Sequence, residues 1–383
     1  MRSSYVAKRF AACKPSLSLD TEALKKYTDI IDLSIGDTDF ITDERIISAA
    51  FADAKAGYTR YGDPKGDPQL IEAIRTAWAE DFGQTVPAEE VLVTASSCLG
   101  MSLAMMALLD PGDEVIVFGP YFAIYRQQIE MAGGVCVEVP TYAEDGYDIR
   151  QELLEKAITD KTKAVIINNP CNPTGAAYDR PCLEMLAKVA QEKDLLVIAD
   201  EIYTRYLYDG ESIPMRTLPG MEQRTVTLNS FSKNFMMTGW RVGFVIAPAE
   251  IIGAISHING AMIYTTPAMS QRAAIKALAL RNEMEEKYIR HFRERVMYAH
   301  DRLSKMDYIS IIPPRGTFYL FPGIEKTGLT AGEFCQVLLE KAHILVSPGD
   351  AFGAAGKQHF RIACTTDMDK LKEAMDRMEG LTF

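Results

Sequence analysis

The stretch "LNSFSKNFMMTGWR" (228–241) sets Lys233 between Ser232 and Asn234, at the end of the β-branched run "RTVTLNSFS". A lysine at the end of a buried strand is unfavourable unless it is paired or used. In a cleft it is a natural Schiff-base former for a carbonyl cofactor or substrate; otherwise it snorkels to solvent. Asp200, in "LLVIADEIYTRY", also follows an apolar strand. A buried carboxylate needs a cation. A protonated pyridine nitrogen is one, and a ring so held accepts electrons; a helix N-cap or an arginine partner is the other reading. Tyr203 lies three residues on, where a turn or helix start turns it the same way.

"NNPCNPTG" (168–175) follows a strand directly. Proline fixes φ and glycine permits positive φ, so the loop is rigid. Asn172 is its candidate donor to a phenolic oxygen; a plain turn is the alternative. Ser96, Ser97 and Cys98 open a helix after a strand, where backbone N–H groups make an anion site. Ser230, Ser232 and Arg241 add hydroxyls and a permanent positive charge suited to a phosphate monoester. Equally, the serines cap the helix and Arg241 makes a salt bridge. Phe122, after "EVIVFGP", can stack on a flat ring. Lysine, acid, asparagine, tyrosine, aromatic ring and phosphate cradle form the set that pyridoxal 5′-phosphate needs.

The elements that must position these residues alternate from about residue 66. "DPQLIEAIRTAWAEDFG" has helical periodicity and ends in Gly83; "EEVLVTA", "EVIVFGP", "VCVEVP", "KAVIINNP", "LLVIAD", "RTVTLNS" and "WRVGFVIAP" read as strands with helices between most of them. Nearly continuous apolar strands alternating with helices predict an α/β fold, a large domain whose mostly parallel sheet is covered by helices on both faces. Ligands of such sheets bind beyond the carboxyl ends of the strands. Residues 96–98, 120–122, 168–175, 200–203 and 230–233 all sit there. After about residue 270 the pattern changes: "QRAAIKALALRNEMEEKYIRHFRERVMYAHDRLSKM" reads as long helical structure. "ISIIPPRGTFYLFP", "HILVSPGDAFG" and "HFRIACTT" read as strands with helices among them, a smaller α+β domain. The expected division is 1–40 as N-terminal arm and part of the small domain, 41–268 as the large cofactor-binding domain, and 269–383 as the small domain with its long connecting helix.

With 383 residues the chain is too long for one compact core. Its net charge of −11 argues against nucleic acid or an anionic membrane as partner, and leaves an anionic small ligand open. The N-terminus has no apolar stretch of signal-peptide length. The uncharged segment 91–109 holds Ser, Thr and Gly and reads as a buried strand and helix rather than a membrane span. Seven widely spaced cysteines, odd in number and without C-x-x-C, fit reduced thiols in a cytoplasm and neither a disulfide frame nor a zinc site. The five histidines show no metal-ligand spacing, so no metal is expected.

The run of N-P-x-N-P-T-G, S-x-S-K and T-G-W-R, with "LSIGDTDF", "YGDPKGDPQL", "DPGDEV", "DEIY", "GTFYLFP" and "FRIACTT", resembles the class I/II aminotransferases, the fold-type I pyridoxal-phosphate enzymes. The likeness covers nearly the whole chain. It implies that Lys233 carries the cofactor as an internal aldimine and serves as general acid/base. It implies that Asp200 pairs the pyridine nitrogen, that Asn172 and Tyr203 bond the ring O3′, and that Ser230 and Arg241 hold the phosphate. Ser96, Ser97 and Cys98 lie around that phosphate, and Phe122 stacks on the ring. Arg361 matches the arginine that forks to the substrate α-carboxylate, with Gly36 near it. Tyr61 matches a tyrosine that reaches the neighbouring subunit's phosphate, which implies a homodimer with shared sites. Two departures stand out. Ser96 replaces a glycine common at the first nest position. No Lys or Arg occurs from 94 to 112 to meet a distal carboxylate, leaving Arg126, Arg205 and Arg315 as alternatives.

The leading expectation is a transaminase acting between an L-amino acid and a 2-oxo acid by ping-pong chemistry. A carbon–sulfur β-lyase on the same fold shares the site and differs in what leaves from Cβ. A non-catalytic cofactor-binding sensor would need a DNA-binding module, which the about 30 residues before "DLSIGD" are too few to form. A nicotinamide dehydrogenase is disfavoured, because no G-x-G-x-x-G follows a strand.

Overall fold

The computed structural model describes residues 5–6 and 26–383; Cys13 and most of the expected N-terminal arm lie outside them. The strands, in chain order, are β1 (Ile31–Asp32), β2 (Val91–Thr94), β3 (Glu114–Gly119), β4 (Val135–Pro140), β5 (Thr162–Asn168) and β6 (Leu196–Asp200). They continue with β7 (Thr225–Ser230), β8 (Gly243–Ile246), β9 (Tyr319–Leu320), β10 (Ile344–Leu345), β11 (Ser347–Pro348) and β12 (Phe360–Ala363).

Seven strands form one sheet in the order β2-β8-β7-β6-β5-β3-β4. The pairs β3–β4, β3–β5, β5–β6 and β6–β7 are parallel, whereas β8 runs antiparallel to both β2 and β7. The carboxyl ends of β2, β3, β5, β6 and β7 therefore share one edge with the start of β8. Side chains alternate across the sheet. Val115 and Val117 join a core with the helices Ser97–Leu108, Ile124–Met131 and Ala249–Met262. Ile116 and Phe118 face a second core with Gln151–Ala157 and Arg180–Glu192. Both faces are covered, which is why these strands read as unbroken apolar runs.

Local signals set the helix ends. Asp67 accepts from the Gln69 N–H, Pro68 occupies the first turn, and Gly83 closes the helix Pro68–Phe82 at φ 69°. Its buried residues Leu70, Ile71, Ile74, Ala77 and Trp78 follow helical spacing. No helix of the described residues is long and apolar enough to cross a membrane; the segment 91–109 is β2 followed by Ser97–Leu108.

The carboxyl-terminal third differs from expectation in two ways. The single helical run breaks into Ala268–Ala279, Arg281–Met284, a π-turn Glu285–Ile289, and Arg290–Leu303. The extra residue of a π-turn shifts the phase of the helix, and Met284, Tyr288, Ile289, Phe292 and Val296 are all buried. The expected strands shrink to short ladders: β11-β12-β9 forms one small sheet and β1 pairs with β10. Pro313, Pro314 and Pro322 flank β9 and lack the N–H that a longer ladder needs.

Candidate active site

Strand register builds the anion cradle. Thr94 pairs with Gly243, and Gly243 pairs with Ser230. The start of the helix Ser97–Leu108, the end of β7 and Arg241 are thereby neighbours. A Cβ on Gly243 would come within 2.7 Å of both Ser97 N and Asn229 O, so only glycine leaves this floor open. Ser96 holds φ 107° and ψ 156°, and its Oγ accepts from Leu99 N at 3.2 Å. That φ is one glycine adopts without strain; Ser96 turns its side chain into a cap there. The first-turn N–H groups of the helix are presented with its positive dipole end. Ser230 Oγ lies 2.9 Å from Ser232 Oγ and accepts from Ser232 N. Arg241, exposed and left-handed at φ 51°, donates to Thr238 O at 2.7 Å. Burial pushes the Cys98 thiol pKa up, while the Arg241 charge opposes it and the Asp200 charge adds to it. Cys98 thus sits within reach of both charges.

Lys233 lies on the short helix Phe231–Asn234 that Ser230 caps. Its Nζ donates to Gly36 O at 2.6 Å. A Cβ on Gly36 would stand 1.8 Å from the Tyr319 hydroxyl, so no larger residue fits there unchanged. Asp200 ends β6 and is buried. Its Oδ2 accepts from Tyr125 OH at 2.5 Å, and its Oδ1 has no partner. Burial lifts its pKa to about 6, against the lowering effect of the Tyr125 hydrogen bond. Phe122 is half-buried and meets Tyr125 edge-on at 5.6 Å.

Asn172 and Arg361 are in contact: Arg361 Nη1 donates to Asn172 Oδ1 at 2.9 Å. A guanidinium only donates, so the bond fixes the amide orientation and leaves Nδ2, the donor end, for another acceptor. Asn168 Oδ1 accepts from Asn172 N at 2.7 Å, and Asn168 Nδ2 donates to Asp200 O at 2.8 Å. Arg361 Nη2 donates to Ser34 O at 2.6 Å, and the buried Nε has no partner. Its guanidinium lies between the Tyr319 and Phe352 rings, 4.5 and 4.7 Å from their centroids. Burial pulls its pKa down, opposed by Tyr319 and Tyr203. Tyr203 OH is 3.3 Å from Tyr319 OH, and burial first of all raises its pKa well above the usual phenol range.

Eleven of the residues expected from the sequence, Ser96, Ser97, Cys98, Asn172, Asp200, Tyr203, Ser230, Ser232, Lys233, Arg241 and Phe122, stand at or just beyond this one sheet edge. Gly36 and Arg361 come to it from β1 and β12. Tyr61 does not join them within the chain; it is 83% exposed, with its ring 5.0 Å from that of Tyr264. The three alternative cations are engaged elsewhere. Arg126 donates to Tyr121 OH at 2.9 Å, Arg205 pairs with Asp81 and Glu285, and Arg315 donates to Ala177 O at 2.7 Å. Tyr125 and Tyr319 are not among the residues expected from the sequence, and Asn168 is expected only as part of the strand-end loop 168–175. Tyr125 had a signal: it stands one helical turn after Phe122.

The unpartnered Oδ1 of Asp200, the unpartnered Nε of Arg361 and the glycine-floored cradle fit a group with a protonated ring nitrogen, a carboxylate nearby and a phosphate. Sheet order and donor set are those of a fold-type I pyridoxal-phosphate enzyme. The family described as "Aminotransferase class I and II" matches residues 28–378. An aspartate aminotransferase of Pyrococcus abyssi is 40% identical, over 92% of this chain and 91% of its own length. An aromatic-amino-acid aminotransferase of Thermococcus litoralis is 37% identical over 91% of each chain. The structure of the Thermus thermophilus aspartate aminotransferase with maleate superposes with a TM-score of 0.92, at 33% identity over 99% of both chains. The chain belongs to the class I and II aminotransferases: it is an enzyme that transfers amino groups with pyridoxal phosphate.

Proposed function

We propose that the enzyme moves an amino group from an L-amino acid to a 2-oxo acid in two half-reactions, with Lys233 as the residue that joins the cofactor and moves the proton. The observation that carries this reading is the convergence of Lys233, the half-satisfied Asp200 and the half-satisfied Arg361 on one strand edge. When bound, pyridoxal phosphate supplies an electron sink for charge developing at the substrate Cα.

The chain's own residues do the rest. The backbone around Ser96, Ser97 and Cys98, with Ser230, Ser232 and Arg241, holds the phosphate. Asp200 holds the ring N–H. Asn172 Nδ2 and the Tyr203 hydroxyl donate to the ring oxygen, and Phe122 stacks on the ring. Arg361 binds the α-carboxylate, with Gly36 leaving room beside it; this fixes the Cα–H bond against the ring. Once the substrate amine has displaced it from the cofactor, the free Lys233 Nζ would take the proton from Cα as general base.

An exposed Tyr61, with Ile41 79% and Tyr264 54% exposed, supports a homodimer in which Tyr61 reaches the partner's phosphate. Free thiols at the six described cysteines suit a cytoplasmic setting. The pairing of β1 with β10 supports counting part of residues 1–40 with the small domain 269–383, while the seven-stranded sheet falls wholly within 41–268.

The relatives are named for aspartate, aromatic amino acids and, in Pseudomonas aeruginosa, arginine with pyruvate. The test is therefore an absorbance scan of the loaded enzyme with a panel of these donors. Conversion of the cofactor band by an amino acid, reversed by a 2-oxo acid, supports transamination. Release of pyruvate and ammonia from cystathionine without any acceptor would turn the reading to the β-lyase.

A further inference from the structure

The hydroxyl of Tyr319 sits at the meeting point of three groups assigned above. It is 3.3 Å from the Tyr203 hydroxyl. Its ring carries the Arg361 guanidinium 4.5 Å from the centroid. Its tip abuts Gly36, whose carbonyl holds Lys233 Nζ. Tyr319 is 2% exposed and Tyr203 1%, so neither phenol exchanges its partner for bulk water. The backbone fixes the ring: Tyr319 N donates to Thr317 Oγ1 at 3.0 Å, and Thr317 itself holds φ 61°.

A phenol has one proton and two lone pairs. If Tyr203 gives its proton to the cofactor ring oxygen, it has none for Tyr319. The contact between the two phenols is then Tyr319 O–H donating to the Tyr203 oxygen. We infer that Tyr319 is a positioning residue: it donates to Tyr203, strengthens Tyr203 as the donor to the ring oxygen, and supports Arg361 with its ring face. The inference rests on the role given to Tyr203. Hydrogen bonds in such a chain polarise one another in the same direction, and the site is dry enough for the effect to be felt.

The consequence appears in a proton rather than in turnover alone. Donors to the ring oxygen lower its basicity and so loosen the proton it shares with the lysine nitrogen. The pH titration of the cofactor absorbance reads that proton. Tyr203→Phe raises the apparent pKa by about one unit or less, the worth of a hydrogen bond. Tyr319→Phe raises it by a few tenths, as expected for a cooperative term. The double variant Y203F/Y319F titrates with Y203F, because Tyr319 acts only through Tyr203. The ring in Y319F still supports Arg361, so KM for the amino acid stays near wild type. In Tyr319→Ala, KM rises. Cofactor stoichiometry confirms that each variant is folded and loaded. Y319F titrating with wild type while Y203F shifts overturns the inference and leaves Tyr203 in place. Equal shifts that add in the double variant also overturn it. No shift in Y203F overturns the reading of Tyr203 itself.

Discussion

Tyr125 donates to Oδ2 of Asp200 at 2.5 Å, while Oδ1 of the same buried carboxylate has no partner. One oxygen is thus fixed by a neutral donor and the other is left for a cation. Asp200→Ala removes the preorganised charge, and kcat/KM is expected to fall by on the order of 10²–10³. Tyr125→Phe leaves the charge and loses one hydrogen bond to it, for a loss of about tenfold. Steady-state kinetics of the two variants against the wild type check the ranking; a Y125F as poor as D200A contradicts it.

Burial raises the pKa of Asp200 to about 6 and that of the neighbouring Glu201 to about 8. Both folded values lie above the usual carboxyl range near 4. Such groups contribute stability that is full below the unfolded pKa and is lost as pH rises through the folded one. Glu201 Oε1 accepts from Met215 N, and Oε2 is unpartnered. Glutamine can keep that bond without the charge. Glu201→Gln is expected to match wild type near pH 4 and to melt several degrees higher at pH 8, as read by melting curves of the cofactor-free protein. Parallel curves across that range go against it.

Ser96 holds φ 107° with ψ 156°, a region nearly reserved for glycine. Relief of that strain outweighs the few tenths of a kcal/mol lost when glycine replaces a serine cap. Ser96→Gly should stabilise the protein by on the order of 1 kcal/mol, which for a chain this long is roughly 1 °C in Tm. Calorimetry on the loaded and unloaded protein decides it.

Arg361→Lys keeps a positive charge and loses the planar fork. Hydrogen bonds to charged groups are worth about 1.5–3 kcal/mol. KM is expected to rise on the order of 10–100-fold for every amino acid and 2-oxo acid tried, with cofactor affinity unchanged. A rise confined to one substrate would place Arg361 on the side chain instead.

Gly36→Ala forces a Cβ to within 1.8 Å of the Tyr319 oxygen unless the backbone or the ring shifts. Displacement near the reacting centre makes a loss of about 10² in kcat/KM the expectation. Adding Tyr319→Phe removes the clashing oxygen and should recover part of it. A double variant worse than G36A alone speaks against this geometry.

Much of the site was readable because chemistry in a parallel sheet collects after strands, and Asp200, Asn172 and Lys233 each follow an apolar run. Their loops carry Pro and Gly, which mark rigid backbone whatever the fold. Arg361 and Gly36 were placed by resemblance alone. Nothing local says that β12 and the segment after β1 approach this sheet edge, where Gly36 meets Lys233 and Arg361 meets Asn172, partners each more than a hundred residues away in sequence. Tyr125 and Tyr319 were passed over because a tyrosine on a helix or a strand usually reads as core, and only tertiary contact reveals what its hydroxyl meets. The long helical run expected after residue 270 breaks at Leu280 and in the π-turn, next to which Arg281 donates to Asp81 and Tyr288 meets Phe40 edge-on, contacts that no local pattern announces.

Every role proposed for the site depends on a covalent link between the cofactor and Lys233. Borohydride reduction of the loaded enzyme, followed by protease digestion and peptide mass mapping, tests it most directly. One pyridoxyl adduct per chain is expected, on the peptide that contains Lys233, absent when Lys233→Ala is treated in the same way. An adduct on any other lysine, or none on a protein that shows the cofactor band, contradicts it.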